Sequence, residues 1–368
     1  MYGHCNPKII SAVQKQMETL DQIIFSGFTH APAIELSEAL IEILPSNQRK
    51  LFFSDNGSTT IEIGIKMALQ YHFNLGNKKD TLIAFDNGFH GDTFGAMSVS
   101  GLSVYNGPFE DFSLKVVRIP TPNKKNIDSI LKELSNLTSI HNIAAFVYEP
   151  LVQGAAGMKM HCENGLNALI KYCNSNQIIT IADEVMTGFG KTGKNFASDY
   201  MENKPEIICL SKALTAGLLP MGITSCSEKI YSVFYSDDLS KGFFHGHTYS
   251  ANPLACIAAL TGIELLTSKE IQDQIKFISK SHLKFTEALI TKAIVKEVRC
   301  KGVILALDLN LEINRYGNLR DELYHKFLKL GVYLRPLGAT IYILPPYTIS
   351  NNELKKVYQA IENVIDQY

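Results

Sequence analysis

Several short clusters in this 368-residue chain combine residue types that bind and activate small molecules. Lys212 directly follows an apolar run, within Cys209-Leu210-Ser211-Lys212-Ala213-Leu214. A lysine that is partly desolvated and near another cation holds its proton less tightly and attacks carbonyls. A lysine snorkelling from a strand end is the plainer reading of the same segment. Asp183 and Glu184 close a second run, Ile181-Ala182-Asp183-Glu184-Val185, ahead of Thr187-Gly188-Phe189-Gly190-Lys191-Thr192-Gly193. Adjacent carboxylates there are costly unless something positive meets them, either a protonated ring nitrogen or a metal such as Mg²⁺. The segment Ser54-Asp55-Asn56-Gly57-Ser58-Thr59 leads into a helical pattern. Gly57 allows close backbone approach, and free N–H groups at a helix start suit an anion; a simple capped turn has the same composition. Phe89-His90-Gly91-Asp92-Thr93 offers a ring that can stack on a flat heterocycle or belong to the core. His245-Gly246-His247-Thr248 has H-x-H spacing, but no third metal ligand accompanies it at a sensible distance along the chain.

The elements that position these clusters follow a repeating order of apolar run, polar turn and helical pattern. The runs are Thr81–Asp86, Ala144–Glu149, Ile178–Glu184, Glu206–Ser211 and Gly222–Cys226. Each is continuously apolar, as strands buried on both faces of a mostly parallel sheet must be. Between the first clusters, residues 58–75 place apolar side chains at a helical period, with Thr59 and Glu62 spaced as a capping box. Alternating strands and helices predict an α/β, doubly wound large domain over residues 46–265. A helical stretch follows over 250–288, of which 266–289 connects to a smaller α+β domain. That domain comprises 290–368, with residues 1–45 packed against it. Its elements are a strand over Val298–Leu309, a helix over Leu319–Leu330 and a hairpin over Val332–Pro345.

Ligands of open α/β sheets bind beyond the carboxyl ends of the strands. At consecutive strand ends this chain sets a phosphate cradle, a stacking ring, a carboxylate for a ring nitrogen and an amine for an aldehyde. That is the inventory needed to hold pyridoxal 5'-phosphate (PLP).

The formal net charge of -1 gives no electrostatic case for nucleic acid or an anionic membrane surface. No apolar run reaches the length of a membrane span. Met1-Tyr2-Gly3-His4 has neither the basic nor the apolar region of a secretory leader. Seven scattered cysteines without a C-x-x-C pair suit reduced thiols in the cytoplasm.

The strings Asp183–Gly190 and Ser211–Leu214 resemble the class III aminotransferases of PLP fold type I. Within that class the chain resembles the adenosylmethionine–8-amino-7-oxononanoate aminotransferases, on Phe28–Ala33, Lys66–Tyr71, His90–Val99, Glu149–Met158, Phe244–Thr248, Asn252–Cys256 and Arg335–Gly338. The resemblance spans essentially the whole chain. It implies a homodimer in which Lys212 is the Schiff-base lysine and carries the proton of the 1,3-shift. Asp183 would pair with the pyridinium nitrogen, Phe89 would stack on the ring, and Gly57 and Ser58 would bind the cofactor phosphate. Thr248, with His247 beside it, would reach the cofactor of the other subunit. Arg335 would take the carboxylate of the oxononanoate substrate in bidentate fashion, with Gly246 and Tyr342 in or near the substrate pocket. S-adenosyl-L-methionine would donate the amine and 8-amino-7-oxononanoate would accept it. A transaminase for another ω-amine, a non-catalytic relative of the fold and a metal-dependent enzyme are the alternatives. The chain departs from the family pattern twice: Phe89 stands where better-known members have Tyr, and Met1-Tyr2-Gly3-His4-Cys5-Asn6-Pro7 matches a segment that family members precede with a stretch carrying a Trp pair. This chain contains no Trp. That stretch is therefore expected either upstream of Met1 or missing from the pocket wall.

Overall fold

The structure, a computed structural model, describes residues 1–101, 106–311 and 318–368. The first nine strands are β1 (Gln48–Ser54), β2 (Thr81–Phe85), β3 (Val116–Ile119), β4 (Ile143–Tyr148), the two-residue β5 (Val152–Gln153) and β6 (Lys159–Met160), β7 (Ile179–Asp183), β8 (Ile207–Leu210) and β9 (Gly222–Ser227). Seven of them form one sheet in the order β1-β9-β8-β7-β4-β2-β3. β9 alone runs against the others. The carboxyl ends of β1, β2, β4, β7 and β8 therefore lie along one edge, as the α/β reading requires.

Every residue of β2, β4, β7 and β8 is buried. The two-residue period of a strand divides these side chains between two cores. Phe85, Phe146, Tyr148, Ile208 and Leu210 enter one, and Leu82, Ala84, Ala145, Val147, Ile181 and Cys209 enter the other. The helix Gly57–Asn74 covers the second face with Ile61, Ile65 and Ala68. The helices Pro7–Met17 and Ala31–Ile43 lie against the helix Pro253–Thr267. A third core joins the helix Lys269–Leu289 and the C-terminal helix Asn351–Ile365 to a small antiparallel sheet of β10 (Val295–Lys301), β11 (Ile304–Leu309) and β12 (Thr340–Ile343).

Several elements differ from the sequence reading. β1 and β3 carry no continuous apolar run, because both lie at the sheet's edges and β1 is exposed at Arg49 and Lys50. The helical stretch 250–288 is two helices, Pro253–Thr267 and Lys269–Leu289. Ser268 breaks it, and its hydroxyl accepts the Ile271 N–H as the cap of the second. Val298–Leu309 is not one strand but the β10–β11 hairpin, turned at Gly302 with φ +59°. Val332–Pro345 is a hairpin only at its tip, where Leu337 and Thr340 form a single antiparallel bridge around Gly338 and Ala339. Beyond it β12 pairs with β11, while residues 332–336 run extended and bury every second side chain. No helix of the described residues is long and apolar enough to cross a membrane.

Candidate active site

The helix after β1 starts one residue earlier than its apolar pattern suggests, with Gly57 as its first residue and Asn56 as its cap. Asn56 Oδ1 accepts the Thr59 N–H at 3.0 Å, and Thr59 Oγ1 accepts the Asn56 N–H at 3.2 Å. The capping box is therefore Asn56/Thr59, not the expected Thr59/Glu62. Glu62 instead accepts the N–H groups of Gly95 and Ala96 at 2.7 and 3.2 Å, in the first turn of the helix Phe94–Val99 that ends the loop after β2. That loop folds over the helix start: Ser58 Oγ accepts the Asp92 N–H at 3.2 Å. Gly91 makes the approach possible, since a Cβ there would lie 2.1 Å from Ser58 Oγ and its φ is +128°.

Asp183 is the last residue of β7 and is buried. Its Oδ2 meets His90 Nδ1 at 2.8 Å, and its Oδ1 accepts the Val185 N–H at 3.1 Å. Burial opposes charge on His90, but the hydrogen bond and charge of Asp183, with Glu149 beyond, outweigh it and raise its pKa. Glu149 follows β4 and is also buried. Its carboxylate accepts the Phe89 N–H at 3.1 Å and the Gly154 N–H at 2.8 Å. Burial, opposed by His90 and helped by the Asp183 charge, pushes its pKa up to about 7.

Glu184 points away from this group. It accepts the Thr187 hydroxyl and the N–H groups of Ala197 and Ser198 at 2.6 to 3.0 Å, tying down the loop after β7. Neighbouring residues of a strand face opposite sides of the sheet, so the two carboxylates do not converge on one ion. His245 and His247 are likewise separated: His245 Nδ1 lies 3.0 Å from Lys66 Nζ, and His247 Nε2 lies 3.9 Å from Asp55.

Lys212 is turned out of the sheet by a left-handed backbone, φ +48°, at the start of the short turn Lys212–Thr215. Its side chain is exposed to the cleft rather than partly buried at the strand end, as its sequence context had suggested. One cleft of about 1130 Å³ brings together Gly57, Ser58, Phe89, Asp183, Lys212, Arg335 and Tyr342. Arg335 projects from the extended segment 332–336, and its charge reaches the half-buried Tyr342 of β12. Gly246, His247 and Thr248 do not line this cleft. They border a separate hollow of about 560 Å³ with Phe25, Phe52 and Phe53, next to the cradle through the His247–Asp55 approach. His90 and Glu149 had no role in the sequence reading. Their signal was present: each is a polar residue just beyond the end of a buried run.

A class-III aminotransferase family model matches residues 1–365. The chain belongs to the class-III aminotransferases. A curated relative of this aminotransferase, the adenosylmethionine-8-amino-7-oxononanoate aminotransferase of Synechococcus elongatus, is 40% identical over 379 residues, covering 100% of this chain and 88% of the relative. The enzyme of the same name from Staphylococcus aureus is 35% identical, covering 100% and 86%. The crystal structure of the Methanocaldococcus jannaschii enzyme of that name superposes with a TM-score of 0.94 at 31% identity, covering 99% and 86%. A PLP-bound amine transaminase from an uncultivated Pseudomonas species gives a TM-score of 0.92 at 28% identity, covering 99% and 88%.

Proposed function

We propose that this aminotransferase binds PLP in the cleft and transfers the amino group of S-adenosyl-L-methionine to 8-amino-7-oxononanoate, giving 7,8-diaminononanoate in biotin synthesis. The whole-chain identity of 40% to a relative of that name carries the substrate reading. The cleft supports the cofactor reading on its own terms. Its donor set matches PLP group by group, and its volume of about 1130 Å³ exceeds the roughly 300–1,000 Å³ of most single-ligand pockets, leaving room for a substrate beside the cofactor.

PLP, when bound, supplies the electron sink that lets an amino group leave one carbon and join another. The amide groups of Gly57 and Ser58, at a helix start, bind the phosphate. Phe89 and Val185, both in the cleft wall, offer apolar faces to the ring. Asp183, fixed by His90 and the Val185 N–H, meets the ring nitrogen and keeps its proton in place. Lys212 would hold the cofactor through its aldehyde and, once displaced by substrate, its Nζ would accept and return the proton of the 1,3-shift. Arg335 holds the carboxylate of the oxononanoate substrate, with Tyr342 beside it.

The second hollow fits a role for Thr248 and His247 across a homodimer axis. Ile24 of the hollow's rim is exposed, as are Phe28, Phe244 and Tyr249, each within two residues of its lining, and a second copy would cover such apolar side chains. The seven cysteines are all unpaired, which suits the reducing cytoplasm.

The test is spectroscopic. Purified protein loaded with PLP should lose its visible cofactor band on adding S-adenosylmethionine and regain it with 8-amino-7-oxononanoate. Bleaching by lysine, ornithine or 4-aminobutyrate but not by S-adenosylmethionine would assign the protein to another amine donor. Likeness to amine and ω-transaminases at 25–28% identity makes that the second reading.

A further inference from the structure

Arg299 is a charged side chain only 9% exposed, and nothing in the chemistry above uses it. It stands on β10, behind the cleft. Its Nη1 and Nη2 donate to Asp308 Oδ2 and Oδ1 at 2.6 and 2.8 Å, a bidentate pair within the β10–β11 hairpin. Glu297 adds a third carboxylate oxygen 3.2 Å from Nη1. The other edge of the guanidinium faces the large domain. Nη2 donates to the Gly157 carbonyl at 2.8 Å, and Nε donates to the Met158 carbonyl at 3.2 Å.

Both ends of this bridge lead into the cleft. Met158 lines it and is held at φ +54°, a strained conformation for a residue with a side chain, which the hydrogen bond from Arg299 to its carbonyl helps to hold. Four residues upstream, Gly154 N–H donates to Glu149, whose other oxygen holds Phe89. On the opposite side Asp308 accepts the Thr340 hydroxyl at 2.7 Å. Thr340 is the first residue of β12, two positions from Tyr342, and the segment carrying Arg335 leads into it.

We propose that Arg299, with Asp308, is a positioning residue that fixes the distance between the substrate-carboxylate wall, Arg335 and Tyr342, and the cofactor wall, Glu149 to Phe89. The guanidinium is suited to this because one rigid fork satisfies a carboxylate and two carbonyls at once; an ammonium cannot. A substrate held at both Arg335 and Lys212 feels that distance. A small reagent attacking the bound cofactor does not.

This inference rests on Arg335 as the carboxylate anchor, so Arg335→Ala is measured beside Arg299→Lys and the milder Thr340→Val. In the PLP-loaded enzyme, Arg299→Lys should raise the KM for 8-amino-7-oxononanoate roughly tenfold to a hundredfold, the effect of a misplacement approaching 1 Å. The rate at which hydroxylamine consumes the cofactor band should stay at the wild-type value, as should PLP affinity. Thr340→Val, which keeps Arg299 and removes one support of Asp308, should shift KM by about twofold and serves if the lysine variant does not fold. An unchanged KM in Arg299→Lys alongside a raised one in Arg335→Ala overturns the clamp alone. An unchanged KM in Arg335→Ala overturns the anchor beneath it. A rise in KM matched by equal losses in hydroxylamine reactivity and PLP affinity would mean general loosening, and also overturns the clamp.

Discussion

Replacing Gly91 by alanine tests whether the helix start at Gly57 and Ser58 is the cofactor cradle. The new Cβ would lie 2.1 Å from Ser58 Oγ, 2.7 Å from Ser58 Cβ and 2.9 Å from Ser58 Cα. The hydroxyl can rotate away, but the last contact is backbone. Carbon atoms pack at about 3.5–4.0 Å, so the loop and the helix start must separate by roughly 0.6 Å or more. The strain of φ +128° adds about 1–3 kcal/mol for any residue with a side chain, and overpacking typically costs about 1–3 kcal/mol. The total is about 2–6 kcal/mol, and the parting falls on the amide groups assigned to the phosphate.

If at least about 2 kcal/mol of it reaches the cofactor, PLP affinity falls roughly thirtyfold or more. The assay is titration of resolved apoprotein with PLP followed by the visible band, since a chain with no Trp offers no indole signal. Gly76→Ala is the control. Its φ is +77° with nothing within 4 Å of the new Cβ, just past the far end of the same helix. It should lower the thermal midpoint through backbone strain alone and leave PLP affinity untouched. A Gly91→Ala protein that binds PLP as tightly as the parent would refute the cradle assignment.

Lys212→Ala should abolish both turnover and the absorbance band of the lysine-linked cofactor, leaving at most that of the free aldehyde, read in one spectrum with and without S-adenosylmethionine; retention of turnover or of the lysine-linked band removes Lys212 from its role. His90→Leu should leave Asp183 buried without its ion partner, at a cost of about 3–5 kcal/mol. Thermal unfolding with and without PLP measures this, and added PLP should recover part of the loss by giving Asp183 a new cation. Glu184 is fully buried, and burial pushes its pKa from 4.5 up to about 7 despite its hydrogen bonds. Between those values the folded chain keeps a proton that the unfolded chain has released, so this group's contribution to stability falls as pH rises from about 4.5 to 7. Glu184→Gln should therefore show a smaller loss of thermal midpoint across that range than the parent; an identical slope would contradict the raised pKa.

What could be read from the sequence was what local pattern determines. The strands β2, β4, β7 and β8 are legible because burial on both faces leaves room for no charged residue, and for no polar one larger than Thr81 or Thr180, until the strand ends; a polar residue at that end marks the cleft. Lys212 and Asp183 stand at or just past such ends and line the cleft, and Phe89 lines it from the loop after β2. β1 stayed hidden because an edge strand tolerates Arg49 and Lys50 on its exposed side. The capping box was misassigned because Glu62 has the right spacing but a better partner: the Gly95 and Ala96 N–H groups, 33 and 34 residues away. Arg299 shows the limit most plainly. The hydrogen bonds that matter reach back 141 and 142 residues, to two carbonyls whose identity in the sequence is irrelevant because any residue supplies them. Partners that are backbone atoms leave no motif and no spacing rule, and the pair with Asp308 reads in the sequence only as an arginine and an aspartate in one hairpin. Its position behind the cleft, joining the wall of Arg335 to the wall of Phe89, becomes visible only once the two sheets are placed against each other. A site whose chemistry sits at strand ends can therefore be inferred from a single sequence, while the spacing between its two walls is a property of the assembled fold.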